Sequence, residues 1–138
     1  MTDPVKMLAE VPIFEGLTKK ELQAIAAAGK QVTHAAGSTL AREGESGLGF
    51  FLIIDGVASV IVGGKTRRKL GPGDFFGEIS LLDQGPRTAT VVAQTPVTTF
   101  GLTAWVFKRL VEQNPSIAAK MLKVMAQRLR ASTTQVTH

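Results

Sequence analysis

Short β-capable runs separated by glycine turns fill the middle of the chain and limit its fold more than any other feature. Five such runs lie between Gln31 and Leu70, at 31–34, 38–41, 49–54, 57–62 and 66–70. The turns Asp55-Gly56 and Gly63-Gly64 are of the hairpin type. Short strands at close spacing predict a mainly β fold, a β-barrel or jelly roll. The apolar run at 50–54 predicts a strand that is buried on both faces, or one that alternates core contacts with helix contacts.

The segment 76–91, FGEISLLDQGPRTATV, interrupts the series of strands and carries two opposite charges. Gly77 permits a positive φ or the close approach of another group. Glu78 begins about one helical turn, whose free N–H groups and positive dipole end suit an anion. Arg87 adds a planar fork of donors that matches a phosphate, next to the Thr88 hydroxyl. Because Glu78 can also accept hydrogen bonds from sugar hydroxyls, the segment predicts a nucleotide site.

This segment closely resembles the phosphate-binding cassette of cyclic nucleotide-binding domains, the family of bacterial catabolite activator proteins and of the regulatory subunits of cyclic-nucleotide-dependent kinases. The family pattern is F-G-E-[LI]-[AS]-L followed after a few residues by P-R-[TSA]-A-[ST]-V. It is matched at every position that matters to the ligand. Both halves stand at the family's separation, which makes the motif highly specific. The resemblance extends to the IFxGLxxxEL-like stretch at 13–22 and to the Gly/Glu-rich turn at 43–47.

The resemblance implies roles for residues in the cassette and in the last helix. It implies that the cyclic phosphate binds Arg87 and the amides that begin the cassette helix, and that Glu78 binds the ribose 2′-hydroxyl. Ser132 and Thr133 resemble the pair with which the bacterial activators contact adenine, with a fraying polar helix end as the equal alternative. The predicted ligand-binding residues are Phe76, Gly77, Glu78, Ile79, Ser80, Pro86, Arg87, Thr88, Ala89, Arg128, Ser132 and Thr133.

Both ends of the chain have helical character. Thr18 is predicted to cap a helix that carries Glu21 at its capping-box position and ends at Gly29. Two strands, at 88–94 and 97–102, are predicted to follow the cassette. The predicted division is a single cyclic nucleotide-binding domain over 1–138, with a helical segment at 1–30, the β-barrel or jelly roll with its cassette at 31–103, and helices at 104–138.

The predicted C-terminal helices begin at Thr103, which is a cap for 104–113, and at Asn114, which caps a longer helix starting at Pro115. Trp105 and Phe107 are expected to anchor the first of them in the core. The apolar residues of the longer helix are Ile117, Met121, Leu122, Val124, Met125 and Leu129. Since that stripe is too wide for one contact surface, we expect one edge to pack on the barrel. The other edge, with Met121, Val124 and Met125, is expected to form a homodimer.

Composition excludes several classes of site. The net charge of +5 fits an anionic ligand or nucleic acid, but scattered solvated cations are the favoured interpretation because the positive residues form no long run. The cluster at 67–69 is interpreted as a solvated strand edge that discourages pairing between sheets. The chain has no cysteine, so it offers no disulfide, thiolate or sulfur-ligated zinc. No signal peptide or membrane span is recognised, so the expected location is the cytoplasm, with no membrane partner.

The sequence therefore predicts reversible binding of a cyclic nucleotide, cAMP first, by a protein that is not an enzyme. No nucleophile–base pair and no His/carboxylate cluster appears beside the cassette, so neither a cofactor nor a metal is expected. The resemblance implies that ordering of the cassette moves the C-terminal helices, which signal to an unidentified effector protein or domain. Nothing after Leu129 could form a helix-turn-helix domain, so direct DNA binding is not expected.

Three alternatives stay open at this point. Thr88 occupies a position where threonine is common in cGMP-preferring family members, so a cGMP module is one alternative. A sensor domain excised from a transcription regulator or a larger enzyme is the second. A degenerate interaction module without a ligand is the third, and the intact cassette argues against it.

Overall fold

The computed structural model describes residues 4–45, 49–77 and 87–136, with the side chains of the last helix described as far as Ala131. The helical elements are α1 (Pro4–Ala9), a 3-10 turn (Pro12–Phe14), α2 (Lys19–Ala28), α3 (Ala104–Gln113) and α4 (Pro115–Val136). The strands are β1 (Lys30–His34), β2 (Thr39–Ala41), β3 (Gly49–Asp55), β4 (Ala58–Val62), β5 (Lys65–Leu70), β6 (Phe75–Phe76), β7 (Thr90–Ala93) and β8 (Val97–Thr103).

The strands form two four-stranded antiparallel sheets, in the orders β1-β8-β3-β6 and β2-β7-β4-β5. Position by position, the two orders match β1 with β2, β8 with β7, β3 with β4 and β6 with β5, which is the arrangement of a jelly roll. The predicted fold class is confirmed in this form. Both described sheets keep open edges, so they do not make a closed barrel. Strand β6 was not predicted, because two residues are too few for an alternation of polar and apolar residues to be seen.

Two apolar clusters lie on the two faces of strand β3. Ile53 faces the opposite sheet and packs in a cluster between the sheets with Ala58, Leu70, Val91, Ala93 and Val97. Phe50 and Leu52 face the helices and pack with residues of α1, α2, α3 and α4. The prediction that 50–54 is buried on both faces is therefore confirmed.

The N-terminal helix α2 begins as its sequence predicts. The Thr18 hydroxyl accepts a 3.1 Å hydrogen bond from the Glu21 amide, and the Glu21 carboxylate accepts one of 2.8 Å from the Thr18 amide. Glu21 also accepts hydrogen bonds from Ser116 (2.5 Å) and Lys120 (2.6 Å) of α4. Lys120 above all, then Ser116 and the Thr18 amide, lower the pKa of Glu21 from 4.5 to about 2. One carboxylate thus begins α2 and ties it to α4.

Helix α4 has one buried and one exposed apolar edge. Ile117, Met121 and Val124 pack against the body of the protein. Leu122 and Leu129 are 67% and 69% exposed. The prediction that only one edge of this apolar stripe packs on the protein body is confirmed. The residues predicted for the homodimer are partly wrong, because Met121 and Val124 are already buried within one chain.

One further prediction about the C-terminal helices needs correction. Phe107 is buried, as expected, but Trp105 is 68% exposed because Ala104, Phe107 and Leu110 take the inward face of α3. Asn114 contacts both helices: its side-chain amide donates to the Leu110 carbonyl at the end of α3, at 3.0 Å, and its carbonyl accepts from the Ile117 amide of α4, at 3.0 Å. The side-chain cap predicted for α4 stays a prediction.

Candidate functional site

The Arg87 side chain lies between β6 and β7, at one end of the jelly roll. Its Nη2 donates a hydrogen bond of 2.7 Å to the Gly49 carbonyl oxygen at the start of β3. Its guanidinium carbon lies 6.0 Å from the centroid of the Phe51 ring and 5.9 Å from that of Phe76. These two rings stack on each other with centroids 5.2 Å apart. The guanidinium is therefore held by a carbonyl and by two aromatic faces, which attract a cation.

Gly77 leaves the space that this guanidinium occupies. Its φ is +81°, a conformation that residues with a side chain rarely adopt. A Cβ atom at this position would overlap Nη1 of Arg87 and the carbonyl oxygen of Gly49. Both features that the sequence predicted for Gly77 are present, and a side chain there would displace Arg87.

The turn that follows β2 fixes the main chain of Arg87. The Arg87 amide donates to the Glu45 carbonyl at 2.7 Å, and the Arg87 carbonyl accepts from the Gly44 amide at 2.8 Å. Glu43 supports that turn, since its amide donates to the Thr90 hydroxyl at 3.0 Å and its carboxylate accepts from the Gly63 amide at 3.1 Å. Arg87 is thus positioned at both its backbone and its side chain, as a recognition residue must be.

A second arginine, Arg68 on β5, lies on the face of its sheet that looks toward the opposite sheet. Ala58 and Leu70 are paired in register and belong to the cluster between the sheets. Val60 and Arg68 are the pair two residues further along, so their side chains lie on that same face. The Arg68 side chain is exposed. It is therefore a cation at the margin of the inter-sheet space.

Sequence reasoning missed the direction of Arg68. The interpretation of 67–69 as an exposed edge is correct for the strand, since β5 is an edge strand. The register of β5 against β4 shifts between Val60 and Ile61, which leaves Arg67 as an extra residue. Such a bulge changes which side chains face inward beyond it, but Arg68 lies on the Leu70 side of the bulge and keeps the regular alternation. Counting alternation back from the apolar Leu70 is the signal that could have identified Arg68.

Some of the predicted ligand residues lie within the described part of the chain and others lie outside it. Phe76, Gly77 and Arg87 contact one another, and Thr88 and Ala89 follow Arg87 in the chain with Thr88 exposed. Arg128 is exposed on α4. Outside the described residues lie Glu78, Ile79, Ser80 and Pro86. Ser132 and Thr133 are part of the α4 backbone, but their side chains are also outside the described part. The structure thus brings Phe76, Gly77 and Arg87 together, and the roles predicted for all these residues toward a ligand stay predictions.

Neither a metal cluster nor a membrane-spanning helix occurs in the part of the chain that the structure describes. It contains no group of three or more His, Cys, Asp or Glu side chains that could hold a metal ion. None of its helices combines the length and the apolar composition needed to cross a membrane.

The sequence is similar to a known domain family and to curated proteins. The family model described as the cyclic nucleotide-binding domain matches residues 31–114. The cyclic nucleotide-gated potassium channel mll3241 of Mesorhizobium japonicum is 35% identical over 129 residues, which are 94% of this chain and 36% of the channel. A cAMP-dependent protein kinase regulatory subunit of Colletotrichum orbiculare is 40% identical over 106 residues, which are 75% of this chain and 27% of that protein. The chain therefore spans about a third of the first relative and about a quarter of the second.

The fold is similar to that of a solved domain. The N-terminal domain of a transcriptional regulator from Streptomyces coelicolor A3(2) superposes with a TM-score of 0.86 at 30% identity. The match covers 91% of this chain and 94% of that domain, so it includes the flanking helices as well as the sheets.

Proposed function

Because the chain belongs to the cyclic nucleotide-binding domain family, we propose that it is a sensor that binds cAMP reversibly and does no chemistry on it. The observation that carries this proposal is the placement of Arg87. Its guanidinium is held against Gly49, Phe51 and Phe76 at the end of the jelly roll. A planar, permanently charged group in a fixed position suits the two non-bridging oxygens of a cyclic phosphate.

In this proposal the nucleotide lies across the segment between β6 and β7. Arg87 binds the phosphate, with the Thr88 hydroxyl and the amides of the cassette beside it. Glu78 accepts a hydrogen bond from the ribose 2′-hydroxyl. Gly77 contributes by leaving room for Arg87, which a side chain at this position would displace.

Helix α4 supplies the base contacts and the output. Arg128 follows Val124, the last buried residue among the described side chains of α4, and Ser132 and Thr133 lie further along the same helix. Because the side chains at 126–131 are exposed, this part of the helix can move toward the ligand at small cost in buried area. The ligand then shifts the equilibrium from an open to a closed position of α4, provided that it binds the closed state more tightly.

The choice of cAMP is supported by two observations. The kinase regulatory subunit that is 40% identical to this chain is named for its dependence on cAMP. The Ser132-Thr133 pair resembles the adenine-contacting pair of bacterial cAMP sensors.

A cGMP module is the second candidate, favoured by the position of Arg68. Arginine pairs in a bidentate manner with the O6 and N7 acceptors of guanine, whereas adenine presents a donor beside N7. Arg68 lies exposed on the inner face of its sheet. A Thr88 hydroxyl that reaches the guanine amino group would add to the same preference.

The location, the domain organisation and the effector of the sensor are proposals as well. We infer a regulatory module of the cytoplasm, organised as one domain over 1–138, that passes its signal to an effector protein or domain. Because the chain spans only part of its curated relatives, that effector is either a partner or a segment of a longer protein.

Calorimetric titration tests the proposal directly. The protein is denatured and refolded to remove bound nucleotide and is then titrated with cAMP and with cGMP. We expect Arg87→Ala to lose at least roughly tenfold in affinity, since a hydrogen bond to a charged group contributes about 1.5–3 kcal/mol. Arg42→Ala is the control, because Arg42 is an exposed cation whose ion pair is a weak 4.0 Å contact with Glu45. Unchanged affinity in a folded Arg87→Ala variant would contradict the proposal.

A further inference from the structure

A cavity of about 290 Å³ lies at the same end of the jelly roll as Arg87. Strands β1, β3 and β8, the end of α2 and the beginning of α3 contribute its lining. Among the described residues assigned to the nucleotide, none lines this cavity. Its volume is close to the lower end of the roughly 300–1,000 Å³ that is typical of small-molecule sites.

The cavity exists because a glycine interrupts a row of side chains across the sheet. Lys30 pairs with Gly101, and Gly101 pairs with Phe51, so all three positions present their side chains on one face. Gly101 has no side chain, and the row is therefore open between the Lys30 chain and the Phe51 ring. A Cβ atom at Gly101 would lie 3.2 Å from the ring of Phe51. A larger side chain here would occupy the opening.

The walls of the cavity are mainly apolar. Val32, Leu102 and Val106 line it together with Phe51. Val32 is 48% exposed, although it is a large apolar residue on a strand. An apolar side chain that is exposed within a concave site is available to a ligand. The polar pair in the lining, His34 and Thr99, is already joined by a hydrogen bond of 3.1 Å.

The charge at the cavity is positive. Lys30 lines it, and in the part of the chain that the structure describes no carboxylate is paired with Lys30. Thr103 and Val106 also line it, and they are the N-cap and an early residue of α3. The positive end of the α3 dipole therefore adds to the Lys30 charge. An apolar enclosure with a cation at its margin is complementary to a hydrocarbon that carries a carboxylate.

We propose that this cavity is a second ligand site, which binds a small apolar carboxylate of the medium-chain or aromatic type. The carboxylate lies at Lys30 and the hydrocarbon lies between Val32 and Phe51.

Occupation of the cavity is communicated to the nucleotide site through Phe51. The Phe51 ring lines the cavity, stacks on Phe76 and lies 6.0 Å from the guanidinium carbon of Arg87. A ligand packed against the Phe51 ring holds Phe51 and Phe76 in their stacked arrangement, and Arg87 lies beside that stack. Nucleotide affinity then rises when the cavity is filled, and by reciprocity the nucleotide strengthens binding of the acid.

Titration of the nucleotide-free full chain with octanoate, and separately with octanol, tests the site. We expect octanoate to bind at least roughly tenfold more tightly than octanol. Its carboxylate receives a charge-assisted hydrogen bond from the Lys30 ammonium group, which the hydroxyl of octanol cannot match. Lys30→Met should remove that advantage, whereas Lys20→Met, an equal change at an exposed position on α2, should keep it. Gly101→Val should weaken binding of both compounds by filling the opening.

Absence of octanoate binding at millimolar concentration would overturn the proposal, and so would equal binding of octanoate and octanol. If Gly101→Val fails to fold, the Lys30→Met and Lys20→Met comparison decides alone. These titrations contain no nucleotide, so their outcome is independent of the proposed sensor function.

A second titration, of cAMP with and without saturating octanoate, tests the link through Phe51. We expect an increase in cAMP affinity of roughly fivefold or more. An unchanged cAMP affinity with octanoate bound would overturn the link.

Discussion

Arg87 keeps its position because several neighbouring residues either leave space or supply a surface. Gly77 leaves space, Gly49 supplies a carbonyl, and Phe51 and Phe76 supply aromatic faces. The sequence alone identified Arg87 and Gly77, because both belong to a contiguous motif with a chemical reason for each residue. It did not identify the contributions of Gly49 and Phe51, since these lie almost forty positions earlier and meet Arg87 only through the pairing of β3 with β6.

Replacement of Gly77 by alanine is predicted to abolish nucleotide binding without unfolding the protein. The added Cβ overlaps the guanidinium of Arg87 and the carbonyl of Gly49, so the arginine must leave its place. The matched control is Gly73→Ala, since Gly73 also has a positive φ (+91°) but meets nothing within 4 Å. Both variants carry a backbone strain of about 1–2 kcal/mol. Calorimetry should therefore find a loss of cAMP affinity in Gly77→Ala alone, with a larger loss of stability than in Gly73→Ala because the Gly49 carbonyl must also shift.

The base preference is predicted to depend on Arg68 and Thr88. If guanine is read by the Arg68 guanidinium, Arg68→Ala lowers cGMP affinity more than cAMP affinity. Thr88→Ala should act in the same direction but weakly, because one hydrogen bond between neutral groups contributes about 0.5–1.5 kcal/mol. Arg67→Ala is the control, since Arg67 is the neighbouring exposed cation. Competition titrations measure both affinities, and equal losses for the two nucleotides in Arg68→Ala would exclude a role for this residue in base selection.

At the scale of elements, the sequence predicted what depends on local patterns. The strands at 49–54 and 97–102 were predicted because apolar runs end at turn residues, and α2 was predicted from its capping box. The errors concern directions that only packing decides. Trp105 was expected in the core, but helix α3 has one inward face, and Ala104, Phe107 and Leu110 occupy it. The inward direction of Arg68 follows from its place two residues before Leu70, but it shows only once Leu70 is known to pack between the sheets.

The contact between α2 and α4 leads to a prediction about acid stability. Glu21, with a pKa lowered to about 2 by Lys120, Ser116 and the Thr18 amide, is favoured as a carboxylate in the folded state. Such a group stabilises the fold at pH values above 4.5, its pKa in the unfolded chain. This contribution is lost as the pH falls from 4.5 toward the folded-state pKa of about 2. Glu21→Gln should therefore be less stable at pH 7 by about 1–2 kcal/mol, with a smaller loss of stability between pH 5 and pH 2.

Thermal unfolding followed by circular dichroism across this pH range measures the effect. Glu10→Gln is the control, because Glu10 is an exposed carboxylate at the end of α1. Parallel pH profiles for the wild type and Glu21→Gln would show that the contact between α2 and α4 does not stabilise the charged form.

At the scale of the whole molecule, helix α4 leaves two large apolar side chains uncovered, those of Leu122 and Leu129. Ala118, Leu122, Met125 and Leu129 follow one another at intervals of four, three and four residues. This is the spacing of the seam of a two-stranded coiled coil. A separate edge of the helix, with Ile117, Met121 and Val124, is buried in the body. One helix can therefore pack on its own domain and on a second copy at the same time.

We accordingly predict a homodimer through α4, with Leu122 and Leu129 as its central residues in place of the Met121 and Val124 that the sequence indicated. Leu122→Lys and Leu129→Lys should each give monomers, because a lysine in the seam exchanges apolar burial for an unpaired charge. Gln127→Lys should remain dimeric, since position 127 lies on the side of the helix away from the seam. Sedimentation at high micromolar concentration, with and without cAMP, distinguishes the species. A wild-type monomer under both conditions would leave the exposed edge of α4 to another partner, since large apolar side chains in one continuous stripe mark an interaction surface.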